Sequence, residues 1–157
     1  MIMKRFLCII LAVILCFGVG LTAVYFQAGS IDVWYPTLVK PAITPPNIVF
    51  PIVWTVIYFC MALSIAWVWS TKEASGKVEI TLLFALQLML NFLWSISFFY
   101  LCAPWLGFIN IVLLDAVVLW YVGRVSSESA VAAWLFAPYL MWLGFATYLN
   151  GYIMIYN

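Results

Sequence analysis

Long apolar runs separated by brief polar stretches organise the chain. They predict spans at 6–26, 48–69, 80–101, 105–122 and 130–155, lengths that a helix rising 1.5 Å per residue needs to cross a hydrocarbon core of roughly 30 Å. The one long connection, 27–47, contains WYPTLVKPAITPPN, whereas TKEASGKVE, CAP and GRVSSES are short. Short connections force antiparallel neighbours. The pattern therefore predicts an all-α membrane protein: a single domain over 1–157, built as a bundle of five transmembrane helices with a long first loop.

Composition agrees and narrows the chemistry. The chain is 69% hydrophobic and 7% charged, against roughly a quarter charged in soluble domains. Residues 41–71, 80–114 and 129–157 carry no charge at all. With no histidine, imidazole acid–base catalysis and His metal ligation are excluded, and no metal site is expected. A net charge of +1 without a basic cluster argues against nucleic acid. No phosphate-cradling glycine loop or nucleophile elbow occurs. The four cysteines, Cys8, Cys16, Cys60 and Cys102, never fall in a CxxC spacing and read as small buried hydrophobes.

Lys4, Arg5, Lys72, Lys77 and Arg124 fall on one side of the predicted topology and only Lys40 on the other. By the positive-inside rule the N-terminus is cytoplasmic, and the long loop and C-terminus are outside. The compact chain without a basic C-terminal tail suggests a bacterial inner membrane. Lys4 and Arg5 also precede the first run as they would a signal peptide, but the run is long for one and no small-x-small site follows. Within it, GVGLTA at 18–23 fits close helix packing through small residues better than a nucleotide loop.

Uncharged polar residues at membrane depth need a partner, a cavity or water. Gln87, Asn91 and Trp94 share one face of the third span. Pro138, Trp142, Ala146 and Asn150 recur at four-residue steps on the fifth, as do Pro46, Phe50, Trp54 and Tyr58 on the second. Such stripes either glue helices together by hydrogen bonds or converge on an interior site. An aromatic pocket with a few amides suits a large, flat, mostly apolar ligand. Trp67, Trp69 and Trp105 lie near span ends as interfacial anchors. Prolines 36, 41, 45 and 46 stiffen the long loop, which with Trp34, Tyr35 and Leu38 suits a lid over the bundle mouth. Asp115 is the single carboxylate at depth, and these residues give it no assigned role.

Trp34-Tyr35-x-x-Leu38-x-Lys40-Pro41-x-x-x-Pro45-Pro46, followed by Phe50 and Trp54, resembles the loop and second helix of the TspO/MBR family, the tryptophan-rich sensory and translocator (peripheral benzodiazepine receptor) proteins. Gln87-x-x-x-Asn91-x-x-Trp94 with Phe98-Phe99 resembles its third helix. Pro138-Tyr139-x-x-Trp142-x-x-Phe145-Ala146-x-x-Leu149-Asn150 with Asn157 resembles its fifth. The resemblance implies a five-helix, commonly dimeric bundle that binds porphyrins such as protoporphyrin IX and haem, and isoquinoline or benzodiazepine-type drugs, beneath the first loop. It implies pocket residues at Tyr35, Trp54, Asn91, Trp142 and Ala146, with Gln87 lining the site too; the loop and the stripes add Pro45, Trp94 and Asn150 as candidate ligand-binding residues. The family's cholesterol motif lacks its basic residue here, which counts against sterol binding.

Three functions follow as expectations. The first is a tetrapyrrole-binding protein with a sensory or regulatory role in porphyrin handling, requiring no cofactor beyond the porphyrin ligand. The alternative is an enzyme-like, light-dependent oxidative degradation of protoporphyrin IX, with Trp54 and Trp142 as the participating residues. A porphyrin or sterol transporter comes last, because no inverted repeat or broken-helix pair is visible.

Overall fold

The computed structural model describes residues 2–71 and 76–157. Lys72 and Glu73, which enter the charge count above, lie outside them. Helix α1 spans Ile2–Ile31, α2 Val49–Ser70, α3 Lys77–Ser95, α4 Pro104–Ser126, α5 Ala130–Trp134 and α6 Ala137–Tyr156. Five helical segments are long and apolar enough to cross a membrane, α5 and α6 together forming the fifth. No strand occurs among the described residues. The chain is a five-helix integral membrane bundle.

Two spans depart from the regular helices expected. The fifth breaks at Leu135–Phe136 because Pro138 has no N–H to donate to the carbonyl four residues back, that of Trp134. The third ends in a π-helical turn, Ile96–Tyr100, closed by Leu101 N–H donating to the Ile96 carbonyl at 2.9 Å. That wider turn brings the adjacent Phe98 and Phe99 both into buried positions. α2 begins at Val49, whose N–H donates to the Pro46 carbonyl at 2.9 Å, so Pro45 and Pro46 precede the helix.

Helix α1 packs on α2 and α3, α3 on α4, and α4 on α6. The core lies toward the Arg124 end. There Tyr121, Phe136, Met61 and Ile65 are fully buried, and Ser64 Oγ bonds both the Tyr121 hydroxyl (2.9 Å) and the Ala132 carbonyl (2.8 Å). At this end Arg124 pairs with Glu79 at 2.9 Å, and Arg5 lies over the Trp67 ring at 5.6 Å. The opposite end gathers the first loop and the C-terminus: Val39 N–H donates to Asn157 Oδ1 (2.9 Å), and Asn157 Nδ2 donates back to the Val39 carbonyl (3.1 Å). Of the cysteines, Cys16 is buried and Cys8 and Cys60 are half-buried, but Cys102 is exposed. It sits at a positive φ of 49° where the chain turns between spans, so it is a turn residue rather than a core hydrophobe.

The π turn is held by close packing against α4. A Cβ on Gly107 would meet Phe98 Cδ2 at 2.9 Å and Asn150 Oδ1 at 3.1 Å, whereas one on Gly144 would meet nothing within 4 Å. Gly107→Ala should therefore cost about 1–3 kcal/mol through overpacking, while Gly144→Ala should be neutral or slightly stabilising. Unfolding titrations in mixed micelles check the pair.

Candidate functional site: an aromatic cavity beneath the first loop

On the loop side of the core the helices enclose a cavity of about 330 Å³. Seven rings stand in its wall: Tyr35 from the loop, Phe50, Trp54 and Tyr58 from α2, Trp94 from α3, and Phe98 and Phe99 from the π turn. Trp94 stacks on Phe98 (centroids 5.4 Å apart, planes at 16°), and Trp54 stacks on Tyr58 (5.4 Å, 30°). α2 and α6 meet here through ring contacts, Trp54 on Tyr139 at 6.1 Å and Phe50 on Trp142 at 5.6 Å.

A polar clasp closes the floor. The Tyr58 hydroxyl donates to Asn91 Oδ1 at 2.9 Å, and Asn91 Nδ2 donates to the Tyr139 hydroxyl at 2.9 Å, so a single amide ties α2, α3 and α6. Higher up, Trp94 Nε1 donates to Asn150 Oδ1 (2.9 Å) and Asn150 Nδ2 to the Pro104 carbonyl (3.1 Å). Gln27 Nε2 donates to Ser95 Oγ at 2.7 Å, linking α1 to α3. The amides of Asn91 and Asn150 are thus engaged by neighbouring helices at both ends. The two readings of the polar stripes coexist: these residues line the cavity and also serve as interhelical glue. A ligand entering here would meet chiefly apolar and aromatic surface.

The loop folds over this space. Tyr35 is buried against Phe98 and Phe99, and Trp34 packs edge-on to Phe98 at 5.5 Å. Burial pushes the Tyr35 phenol above its ordinary value, so it stays protonated at neutral pH. The Lys40 ammonium lies 4.6 Å from the centre of the Tyr35 ring and donates to the Tyr35 carbonyl (2.6 Å) and the Leu38 carbonyl (3.2 Å), which ties it to its own loop. The cavity's open side lies between the upper parts of α1 and α2, where the lining residues Val24, Asn47 and Pro51 are exposed.

Of the residues expected at the site, Tyr35, Trp54, Asn91, Trp94, Ala146 and Asn150 line this cavity. Pro45, Gln87 and Trp142 do not. Pro45 remains in the loop ahead of α2. Gln87 lies one turn below Asn91, under the clasp, where it is fully buried; its Nε2 approaches Met61 Sδ at 3.9 Å and its Oε1 has no partner among the described residues. Trp142 stands behind Phe50, packed on it and on Phe145 (5.7 Å). The wall also contains residues the sequence reading missed, notably Gly20, Ala23 and Gln27 of α1. The signals were faint: a glycine within GVGLTA and a lone amide near a span end. Gly20 matters through proximity, since a Cβ there would lie 2.5 Å from Tyr58 Cε2.

Fold and cavity together define a small helical membrane protein with an aromatic-lined cavity between its spans. Residues 12–156 match the model of the TspO/MBR family. The chain is 38% identical over 155 residues to the tryptophan-rich protein TspO of Chlorobaculum tepidum, covering 98% of each chain. It is 35% identical over 129 residues to the tryptophan-rich sensory protein of Cereibacter sphaeroides (80% of this chain, 78% of that one). With the translocator protein of Homo sapiens it shares 34% over 126 residues (74% and 70%). The chain belongs to the TspO/MBR family.

Asn91→Leu should leave the Tyr58 and Tyr139 hydroxyls unpaired at the floor and cost about 2–4 kcal/mol, one desolvated group each. Tyr58→Phe should cost about 1 kcal/mol, since Asn91 keeps its bond to Tyr139. Reversible unfolding in mixed micelles, with the two variants measured side by side, checks the difference.

Proposed function

We propose that this protein binds a flat tetrapyrrole of the protoporphyrin IX or haem type in the aromatic cavity and serves as a sensory or regulatory element in porphyrin handling. The observation that carries the reading is the cavity's chemistry. Its surface is chiefly apolar, with seven indole, phenol and phenyl rings among the lining, while the Asn91 and Asn150 amides are already taken up by neighbouring helices. Such a wall favours broad, flat, apolar ligands held by stacking over small polar ones. The name of the Cereibacter sphaeroides relative, a sensory protein, supports the role. The cavity volume of about 330 Å³ is at the small end of ligand pockets, which run from roughly 300 to 1,000 Å³. A macrocycle therefore seats with the loop or the α1–α2 mouth parted. With no histidine, axial ligation of iron would fall to a weaker donor such as Tyr or Cys, so binding should depend on the ring more than on the metal.

In this proposal the N-terminus faces the cytoplasm of a bacterial inner membrane and the loop faces outward. Arg5, Lys77 and Arg124 gather at one end of the bundle and Lys40 at the other, which supports that orientation. Isoquinoline or benzodiazepine-type drugs would share the aromatic wall.

A second reading, light-dependent oxidation of bound protoporphyrin by molecular oxygen, is favoured by one contact. Trp54, on the cavity wall, stacks on Tyr58, whose hydroxyl is hydrogen-bonded to Asn91, an oxidisable pair beside the ligand space. Trp142, screened by Phe50, is the weaker participant.

A dark titration with protoporphyrin IX, read by tryptophan fluorescence, tests the binding reading. Saturable quenching is expected, weakened about 5–10-fold in Trp54→Phe through loss of stacking area and less than about 3-fold in Trp142→Phe. Absence of saturation would overturn it. Illumination of the saturated complex separates the readings: spectral loss of the porphyrin that depends on Trp54 supports oxidation, and an unchanged spectrum supports binding alone.

A further inference from the structure

Toward the Arg124 end, α3 and α4 leave a groove of about 600 Å³ on the outer surface of the bundle, separate from the aromatic cavity. Leu82 and Leu86 of α3 and Trp120 of α4 line its membrane side, all of them exposed. Glu79, in the first turn of α3, and Arg124, in the last turn of α4, stand at its head. Arg124 donates from Nε and Nη2 to the two Glu79 carboxylate oxygens, both at 2.9 Å. That engages two of the five N–H donors of a guanidinium, and each carboxylate oxygen can accept a further bond. The pair is open to the outside, its side chains 38% and 44% exposed. Glu128 stands beside it: its Oε1 accepts from the Gly76 N–H at 3.3 Å, and a Cβ on Gly76 would lie 3.0 Å from Arg124 Nη2 and 3.7 Å from that same oxygen.

Every outward helix face in a bundle is apolar, so leucines alone select nothing. The charges select. Lys77 turns its ammonium to the Trp69 and Thr71 carbonyls at 2.8 and 3.0 Å. Among the described residues the head of the groove therefore carries one cation, Arg124, against the carboxylates of Glu79 and Glu128. We propose that the groove binds a phospholipid with a phosphoethanolamine headgroup. The phosphate takes the remaining N–H donors of Arg124, a charge-assisted pairing that suits a guanidinium. The primary ammonium bonds Glu79, with Glu128 adding negative charge beside it. One acyl chain lies along Leu82 and Leu86 against the Trp120 indole, which sits one turn deeper than Arg124 on the same face of α4. A headgroup holding both signs on adjacent groups matches an ion pair that presents both signs. Choline carries its charge without an N–H to donate. A glycerol headgroup brings the phosphate but no cation, and leaves Glu79 and Glu128 facing a like charge.

The inference is independent of the porphyrin reading and is tested without porphyrin. The full-length protein is released for native mass spectrometry from micelles holding equal amounts of dioleoyl phosphatidylethanolamine, phosphatidylcholine and phosphatidylglycerol. It should retain the ethanolamine lipid about fivefold over either of the others. Glu79→Gln should bring the ethanolamine lipid down to the level of the choline lipid, and Arg124→Gln should weaken retention of all three. Both variants also break the bond between α3 and α4, so a second arm leaves the ion pair intact. In bilayers containing a minor fraction of lipid brominated on its acyl chains, the fluorescence difference between the unchanged protein and Trp120→Phe isolates the Trp120 signal. Brominated phosphatidylethanolamine should quench that signal more strongly than brominated phosphatidylcholine. No retained lipid, equal retention of the three, a preference for the glycerol lipid, an ethanolamine preference that survives Glu79→Gln, or equal quenching of Trp120 would overturn the assignment.

Discussion

A polar side chain in the hydrocarbon core has no water to fall back on, and the architecture follows from how each one finds a partner. Asn91 is the node. Its single amide accepts from Tyr58 and donates to Tyr139, joining the second, third and fifth spans at the depth where core gives way to cavity. Below it the bundle is tightly filled around Tyr121 and Phe136, and Ser64 repeats the pattern on a smaller scale. Above it the helices are spaced by rings and tied by the Trp94–Asn150 and Gln27–Ser95 bonds, and the space between them is the candidate site.

That arrangement links stability to recognition. Because the amides bind one another's helices, the cavity they border offers a ligand stacking surface with few directional contacts. The π turn contributes by turning Phe98 and Phe99 inward together, and Gly107 allows α4 to lie against it. The loop completes the enclosure because Asn157 holds Val39 from the far end of the chain.

The exceptions to polar satisfaction are informative for the same reason. Gln87 and Asn110 each keep a buried side-chain oxygen without a partner among the described residues, both inside the protein. Asp115, partly exposed on the fourth span, accepts from Thr147 at 2.7 Å and so is tied to the fifth.

Much of this was legible in the sequence. Apolar runs of membrane-crossing length determine five spans, because hydrocarbon admits little else, and short connections determine that neighbours alternate. The stripes carrying Trp54, Asn91, Trp94, Ala146 and Asn150 could be read as converging faces, since helical periodicity alone aligns them. Tertiary structure decided the rest. Periodicity tells which residues share a face but not how far a helix slides or rotates against its neighbour, and so it could not separate Asn91 at the floor from Gln87 one turn beneath it. Nor could it show that Phe50 stands between Trp142 and the cavity. The contribution of α1 was equally hidden: its run is almost uniformly apolar, so the burial of Ala12, Cys16 and Ala23 and the approach of Tyr58 to Gly20 are what reveal which side faces inward. Spans are set by transfer from water to lipid, a property of each segment by itself, whereas a site is set by contacts between segments far apart in the chain.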